Sequence, residues 1–265
     1  MRQLLDHTTE IEQAAKLLRN SLSAIAFTGA GLSTSSGIPD FRGPGKGLWE
    51  RLEAAGADEV QAGTIQAFGR DPQAFYERMK PLFQKIIVAE PNEAHFALGE
   101  LEAKGYIQAV ITQNADMLHQ RAGSKNVIEV HGSLAEATCI QCYRSKTFRP
   151  LLDQYLADGI MPRCRECGGA MKPNVILPGE QLSMQAMLAA KQAIRHADIL
   201  LIAGTSLAGG PATTLIDTAY LQNSRLIIVN QTPTLMDASA EAVIYMDVAA
   251  ALPAIADILR EERKR

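Results

Sequence analysis

Apolar residues recur along this chain with two different periods. Short runs that stay apolar on consecutive positions, "SAIAFTG", "YIQAVITQN", "NVIEVHG", "DILLIAGTS", "RLIIVN" and "AVIYMD", predict strands buried on both faces. Between them lie helical patterns: "NEAHFALGELEAKG", the short "ADMLHQRAG", residues 184–196, "PATTLIDTAYLQNS" and a C-terminal helix. A first helix is predicted over 9–21, with Thr9 and Glu12 as a capping box and Ile11, Ala14, Ala15, Leu18 and Leu22 on its apolar face. Strands alternating with helices predict an α/β fold with a parallel sheet covered on both sides. Two stretches break the rhythm and read as insertions. Residues 47–88 carry helical patterns without strands, and residues 134–173 hold all four cysteines.

Composition narrows this picture. The 265 residues are 47% hydrophobic, enough for a buried core, yet polar residues and glycines interrupt every apolar run before the about 18 residues a bilayer span needs. The opening "MRQLLDHTTE" lacks the apolar core of a signal peptide, so a soluble, cytoplasmic protein without membrane partners is expected. A formal net charge of −3 provides no field for gripping nucleic acid, and leaves acidic surface for a basic, lysine-containing partner.

Candidate chemistry begins at "TGAGLSTSSGIPDFRG", residues 28–43. Gly29 and Gly31 follow a strand, where missing side chains let backbone N–H groups approach phosphate oxygens. Thr34 stands where a dinucleotide fingerprint has its third glycine, and no strand ending in an acid follows about 20 residues on, so a plain structural turn is the competing reading. Pro39, Asp40, Phe41 and Arg42 could form a covering loop, Arg42 toward phosphates and Phe41 against a ring or simply in the core.

Past the next strand come Gln113, Asn114 and Asp116, polar groups at the sheet edge where α/β folds bind ligands, or else a helix cap. His131 ends "NVIEV"; a lone histidine is commonly a packed residue, but its titration range suits proton transfer. Gly204, Thr205 and Ser206 form a second strand-to-helix turn that could cap a helix or contact a ligand. Cys139-x-x-Cys142 and Cys164-x-x-Cys167, 21 residues apart, predict one tetrahedral zinc site with four thiolates and no open position, hence structural.

In combination these motifs resemble the sirtuins, NAD-dependent protein-lysine deacylases: "GAGLSTSSGIPDFRG", "TQNADMLHQRAG", "VHG", the paired cysteines, "GTSL" and "IVN" occur in that family's order, over about residues 10–255. The resemblance implies a Rossmann-like NAD-binding domain (1–46 with 89–133 and 174–265), a helical insert (47–88) and a zinc-binding insert (134–173). It also implies NAD as co-substrate, one structural Zn²⁺ and acylated-lysine proteins as partners. Contacts to NAD would come from Gly29, Ala30, Gly31, Ser33, Asp40, Phe41, Arg42, Gln113, Asn114, Asp116, Gly204, Thr205 and Ser206. Asn230, Gln231 and Thr232 would lie near the adenosine ribose, and Asp247 and Val248 near adenine. Ile176, Pro178, Gly179 and Glu180 would meet the acyl-lysine.

The implied reaction has the acyl amide oxygen attack C1′ of the nicotinamide ribose as nicotinamide leaves. Asn114 and Asp116 shape that pocket, His131 then takes a ribose hydroxyl proton as general base, and His119 is structural. O-acyl-ADP-ribose and free lysine result. Two other readings stay open: transfer of ADP-ribose to protein, and a non-catalytic NAD or ADP-ribose sensor. Three positions depart from the family pattern. Pro178 replaces a frequent aromatic in the acyl tunnel, Met117 a frequent glycine, and Gly209-Gly210 a stretch often β-branched. Tyr76 is followed at +3 by Met79, whereas succinyl-preferring members carry arginine there.

Overall fold

The computed structural model describes residues 7–40, 63–207 and 210–262. Six parallel strands form the main sheet: β1 (Ala24–Thr28), β2 (Ala109–Thr112), β3 (Val127–Glu129), and, after the small module, β7 (Ile199–Ala203), β8 (Arg225–Val229) and β9 (Ala242–Ile244). Their order is β3-β2-β1-β7-β8-β9. Every residue of β1, β2 and β7 is buried, which explains why these strands read as unbroken apolar runs. Side chains alternate between two cores. Ala24, Ala26, Ile199, Leu201, Ile227 and Val229 share one with α1 (Thr8–Arg19), α4 (Glu93–Ala103) and α9 (Val248–Glu262). Ile25, Phe27, Leu200, Ile202, Leu226 and Ile228 share the other with α7 (Met184–Arg195) and α8 (Thr214–Leu221).

A second body is built from α2 (Ile65–Arg70), α3 (Pro72–Val88), α6 (Phe148–Asp158) and an antiparallel sheet ordered β5-β4-β6. Its strands are β4 (Gly132–Cys139), β5 (Ser145–Thr147) and β6 (Met171–Val175); the short α5 (Leu118–Arg121) lies between β2 and β3. Phe68, Phe75, Tyr76 and Phe83 from α2 and α3 pack with Phe148, Tyr155, Cys139 and Met171 from the cysteine-bearing stretch. The two insertions therefore share one aromatic core, and Tyr76 and Tyr155 meet with ring centroids 5.0 Å apart.

Several local expectations change. Helix α1 starts at Thr8 behind His7 without a side-chain cap, so the Thr9–Glu12 box does not form, and Leu22 is 92% exposed beyond the helix end. Helix α6 sits inside the cysteine stretch, where no helix was predicted; its Pro150 falls in the first turn, where a missing N–H is harmless. Among the described residues no helix is long and apolar enough to cross a membrane.

Candidate functional site

Strand order places the site. From β1 the chain winds outward through β2 and β3, then returns to β7 on the other side of β1, so the connections diverge outside the carboxyl ends of β1 and β7. Two glycine turns meet there. Gly31 N–H donates to the Gly204 carbonyl at 2.8 Å and Gly29 N–H to the Ala203 carbonyl at 3.2 Å. A Cβ on Gly204, at φ +64, would lie 2.4 Å from Leu32 N, and one on Gly29 would lie 2.7 Å from Thr205 Cβ. These glycines let two loops press together, and the N–H groups of Gly29 and Gly31 donate between the loops. Ala30 opens a 3₁₀ turn, which leaves its own N–H outside the turn's bonding.

Around this seam lies a polar network. Asn114, 8% exposed, donates through Nδ2 to the Gly29 carbonyl and to Ser33 Oγ, both at 3.1 Å, while Ser33 Oγ donates to Asp116 Oδ2 at 2.6 Å. Leu118 N–H donates to Asp116 Oδ1 at 3.0 Å, so the carboxylate also caps α5. Burial raises the Asp116 pKa, against the opposing hydrogen bonds from Ser33 and Leu118. Gln113 ties the network to both sides: its Oε1 accepts from Thr205 Oγ1 at 3.2 Å, and its carbonyl lies 3.0 Å from His131 Nδ1. A carbonyl oxygen can only accept, so Nδ1 carries a hydrogen and donates it to Gln113.

His131 owes its place to Gly132, which has φ +77 and would put a Cβ 2.1 Å from the Asn174 carbonyl. Only glycine lets β6 pass this close, and Ile176 N–H then donates to the His131 carbonyl at 2.8 Å. Ile176 is thus brought beside His131 through the backbone, and two residues on Pro178 O accepts from Ile65 N–H at 3.1 Å. Glu180 Oε2 accepts from Leu177 N–H at 2.7 Å, and Gly179, at φ +91, packs on Gln66.

Other candidate residues lie farther along the same sheet edge. Asn230 Nδ2 donates to the Thr232 carbonyl at 2.8 Å, fixing the loop that carries Gln231. Asp247 Oδ1 accepts from Ala249 N–H at 2.8 Å and caps α9, and the Val248 side chain belongs to the core. Ser206 follows Thr205 on the exposed side, and Asp40 is half-buried. Phe41, Arg42 and Gly209 lie outside the described residues. Asn92 was missed by sequence reasoning: it caps α4 and also donates to the Leu32 carbonyl at 2.8 Å and Ser36 Oγ at 3.0 Å, tying down the first glycine turn. Its place before a helix signals a cap, but not these outward bonds.

Beneath the network, His119 Nε2 lies 2.9 Å from Thr28 Oγ1, and its ring meets His95 at 5.0 Å between centroids. Burial lowers both pKa values, His95 to about 4 and His119 to about 3, the latter helped by His95. In the unfolded chain histidine titrates near 6.5, so below that pH the unfolded state takes up protons that the folded state refuses. Stability from this pair is complete above pH 6.5 and is lost as pH falls toward the folded values. Urea titrations should show about 3–4 kcal/mol less stability at pH 5 than at pH 7 from the two residues together, with the slope about halved in His119→Gln.

The four cysteines converge as their spacing predicts. Among the described residues Cys139, Cys142, Cys164 and Cys167 form one cluster, their sulfurs all within 4.8 Å of one another. The Cys139–Cys167 and Cys142–Cys164 sulfur distances of 3.4 and 3.6 Å exceed a disulfide bond and approach the edge of a ZnS₄ tetrahedron, about 3.8 Å for Zn–S bonds of about 2.3 Å. Gln141 N–H points at Cys139 Sγ at 3.4 Å, as in a zinc knuckle. The set fits a structural Zn²⁺, which would pin β4 to the Cys164 turn. Cys164→Ser should remove the metal from purified protein and lower Tm by about 10 °C or more; metal analysis with a thermal melt checks this.

Comparison with known proteins fits this geometry. A sequence profile described as the Sir2 family matches residues 29–211, more than half of the chain. The chain belongs to the Sir2 family. It is 40% identical over 253 residues to an NAD-dependent protein deacetylase of Sulfurisphaera tokodaii, covering 96% of this chain and 97% of that protein. It is also 40% identical over 255 residues to NAD-dependent protein deacylase 2 of Archaeoglobus fulgidus, covering 96% and 98%. A structure of a Sir2 variant with deacetylated p53 peptide and 3′-O-acetyl ADP-ribose superposes with TM-score 0.85 at 35% identity, covering 94% of this chain and 98% of the other. A Sir2 enzyme bound to a propionylated peptide gives 0.81 at 34%, covering 96% and 98%.

Within this Sir2-family chain, Met117 sits at φ +65, a left-handed conformation that explains why glycine suits the position. Its Sδ accepts from Ser133 Oγ at 2.9 Å, joining α5 to β4.

Proposed function

We propose that this chain is an NAD-dependent protein-lysine deacylase, foremost a deacetylase, taking acylated-lysine peptides and NAD and releasing nicotinamide and O-acyl-ADP-ribose. The observation that carries this reading is the orientation of His131, whose Nδ1–H is held by the Gln113 carbonyl beside the Asn114–Ser33–Asp116 network. A binder needs no positioned base, whereas ribose deprotonation does.

In this reading the seam of Gly29, Gly31 and Gly204 lets the turns bearing Ala30, Ser33, Thr205 and Ser206 close around the phosphates, with Asp40, Phe41 and Arg42 covering them. Asp116 accepts from the carboxamide N–H₂ of nicotinamide, and Asn114 and Gln113 hold the adjoining ribose. Asn230, Gln231 and Thr232 serve the adenosine ribose, and the backbone at Asp247 and Val248 the adenine. Ile176, Pro178 and Gly179 line the acyl-lysine. His131 Nε2 takes the ribose hydroxyl proton while Nδ1–H stays on the Gln113 carbonyl, so the ring keeps its orientation as it becomes charged. The chain is divided as 1–46 with 89–133 and 174–265 for NAD, 47–88 as helical insert and 134–173 as zinc insert, the two inserts acting as one body through their common core. A cytoplasmic location accompanies this reading.

Nicotinamide release measured with NAD, with and without an acetyl-lysine peptide, tests the proposal: release that requires the peptide supports it, and equal release without peptide contradicts it. Acyl preference follows from two residues. Pro178 removes a tunnel ring, so butyryl-lysine should be turned over within about tenfold of acetyl-lysine. Tyr76 donates its hydroxyl to the Met171 carbonyl at 2.7 Å in the core and has Met79 at +3. Nothing at that pair holds an acyl carboxylate, so succinyl-lysine should fall about a hundredfold below acetyl. A chain-length series in kcat/KM checks both, and strict acetyl preference or rapid desuccinylation would contradict them.

A further inference from the structure

Lys172 looks in sequence like a surface lysine next to Pro173, yet its side chain is only 13% exposed. Its ammonium has three protons and three oxygen partners: the Pro173 carbonyl at 3.1 Å, the Val175 carbonyl at 2.9 Å and Glu180 Oε2 at 3.0 Å. Glu180 Oε2 also accepts from Leu177 N–H at 2.7 Å, while Glu180 N–H donates back to the Leu177 carbonyl at 2.9 Å. The pair thus closes a loop from β6 through residue 180. On one side of that loop Ile176 N–H holds the His131 carbonyl; on the other, Pro178 O holds Ile65 N–H at the start of α2.

We infer that Lys172 and Glu180 are positioning residues that hold the Ile176–Gly179 segment at its distance from His131, so that they set binding of the acylated peptide without touching it. This rests on the deacylase reading and reassigns Glu180 from contact with substrate to support of the segment that makes it. A charged pair this enclosed keeps its geometry because the lysine's protons are saturated and the carboxylate is also held by a backbone donor. Losing one partner leaves the other charge enclosed and uncompensated, which favours displacement of the loop that the pair closes.

Three variants separate the roles. Glu180→Gln keeps an acceptor for Leu177 N–H and removes the charge; Lys172→Met removes the ammonium and keeps the stem; Lys172→Arg keeps the charge. Steady-state kinetics with acetyl-lysine peptide and NAD should show peptide KM raised about tenfold in Lys172→Met and Glu180→Gln, with NAD KM within about twofold and Lys172→Arg partly restored. In the same variants amide hydrogen exchange over residues 175–180 should quicken about tenfold while β1 and β7 stay protected. An unchanged peptide KM in active variants, a parallel rise in NAD KM, or unchanged exchange over 175–180 would overturn the inference. A wild type with no peptide turnover would instead sink the deacylase reading, and the exchange measurement would then decide alone whether the pair holds the segment.

Discussion

His131→Ala is expected to lower kcat for an acetyl-lysine peptide by about 10²–10⁴-fold, the range spanned by loss of a positioned general base. The ring is half-exposed and lies outside the hydrophobic cores, so its removal should leave the fold intact. Because proton removal follows nicotinamide departure in the proposed sequence, exchange of labelled nicotinamide into NAD should persist in the variant while acyl transfer stops. Gln113, Asn114 and Asp116 are untouched, so NAD affinity should change little. Equal loss of exchange and transfer would place His131 in binding instead of base catalysis.

Gly132→Ala should be more damaging to the fold than any single change at the NAD-facing residues. The new Cβ would stand 2.1 Å from the Asn174 carbonyl, in a backbone conformation of φ +77. Left-handed alanine alone costs about 1–2 kcal/mol, and the clash is with backbone that β4 and β6 hold in register from Ala137–Pro173 to Cys139–Met171. Relief must come from displacing β6, which carries the donor to His131 with it. A loss of about 4 kcal/mol or more in urea unfolding is expected, with no measurable turnover. Native-like stability together with native kinetics would show that this crossing is looser than the structure has it.

Much of this architecture could be read from the chain. Strands such as Ile199–Ala203 are buried on both faces, so their continuous apolar runs separate cleanly from amphipathic helices. Gln113, Asn114 and Asp116 stood out because three polar residues at a strand's carboxyl end need partners, and the structure supplies them. The cysteine cluster followed from spacing alone. What escaped depends on distant partners. Lys172 is committed to Glu180 through a loop closure that no local pattern announces, and Asn92 reaches Leu32 from 60 positions away. Helix α6 went unread because residues 134–173 stand out together as one cysteine-bearing insertion. Gly29 and Gly31 stood out as positions without side chains, but the Gly204 turn that packs against them lies 173 positions or more away in sequence.

The central claim is acyl transfer to NAD-derived ADP-ribose, and its products test it most directly. Purified protein incubated with acetyl-lysine peptide and NAD should yield deacetylated peptide, nicotinamide and O-acetyl-ADP-ribose in equal amounts by mass spectrometry, all absent without peptide and suppressed in His131→Ala. Free acetate with intact NAD, or ADP-ribose attached to the peptide with its acetyl group retained, would contradict the account.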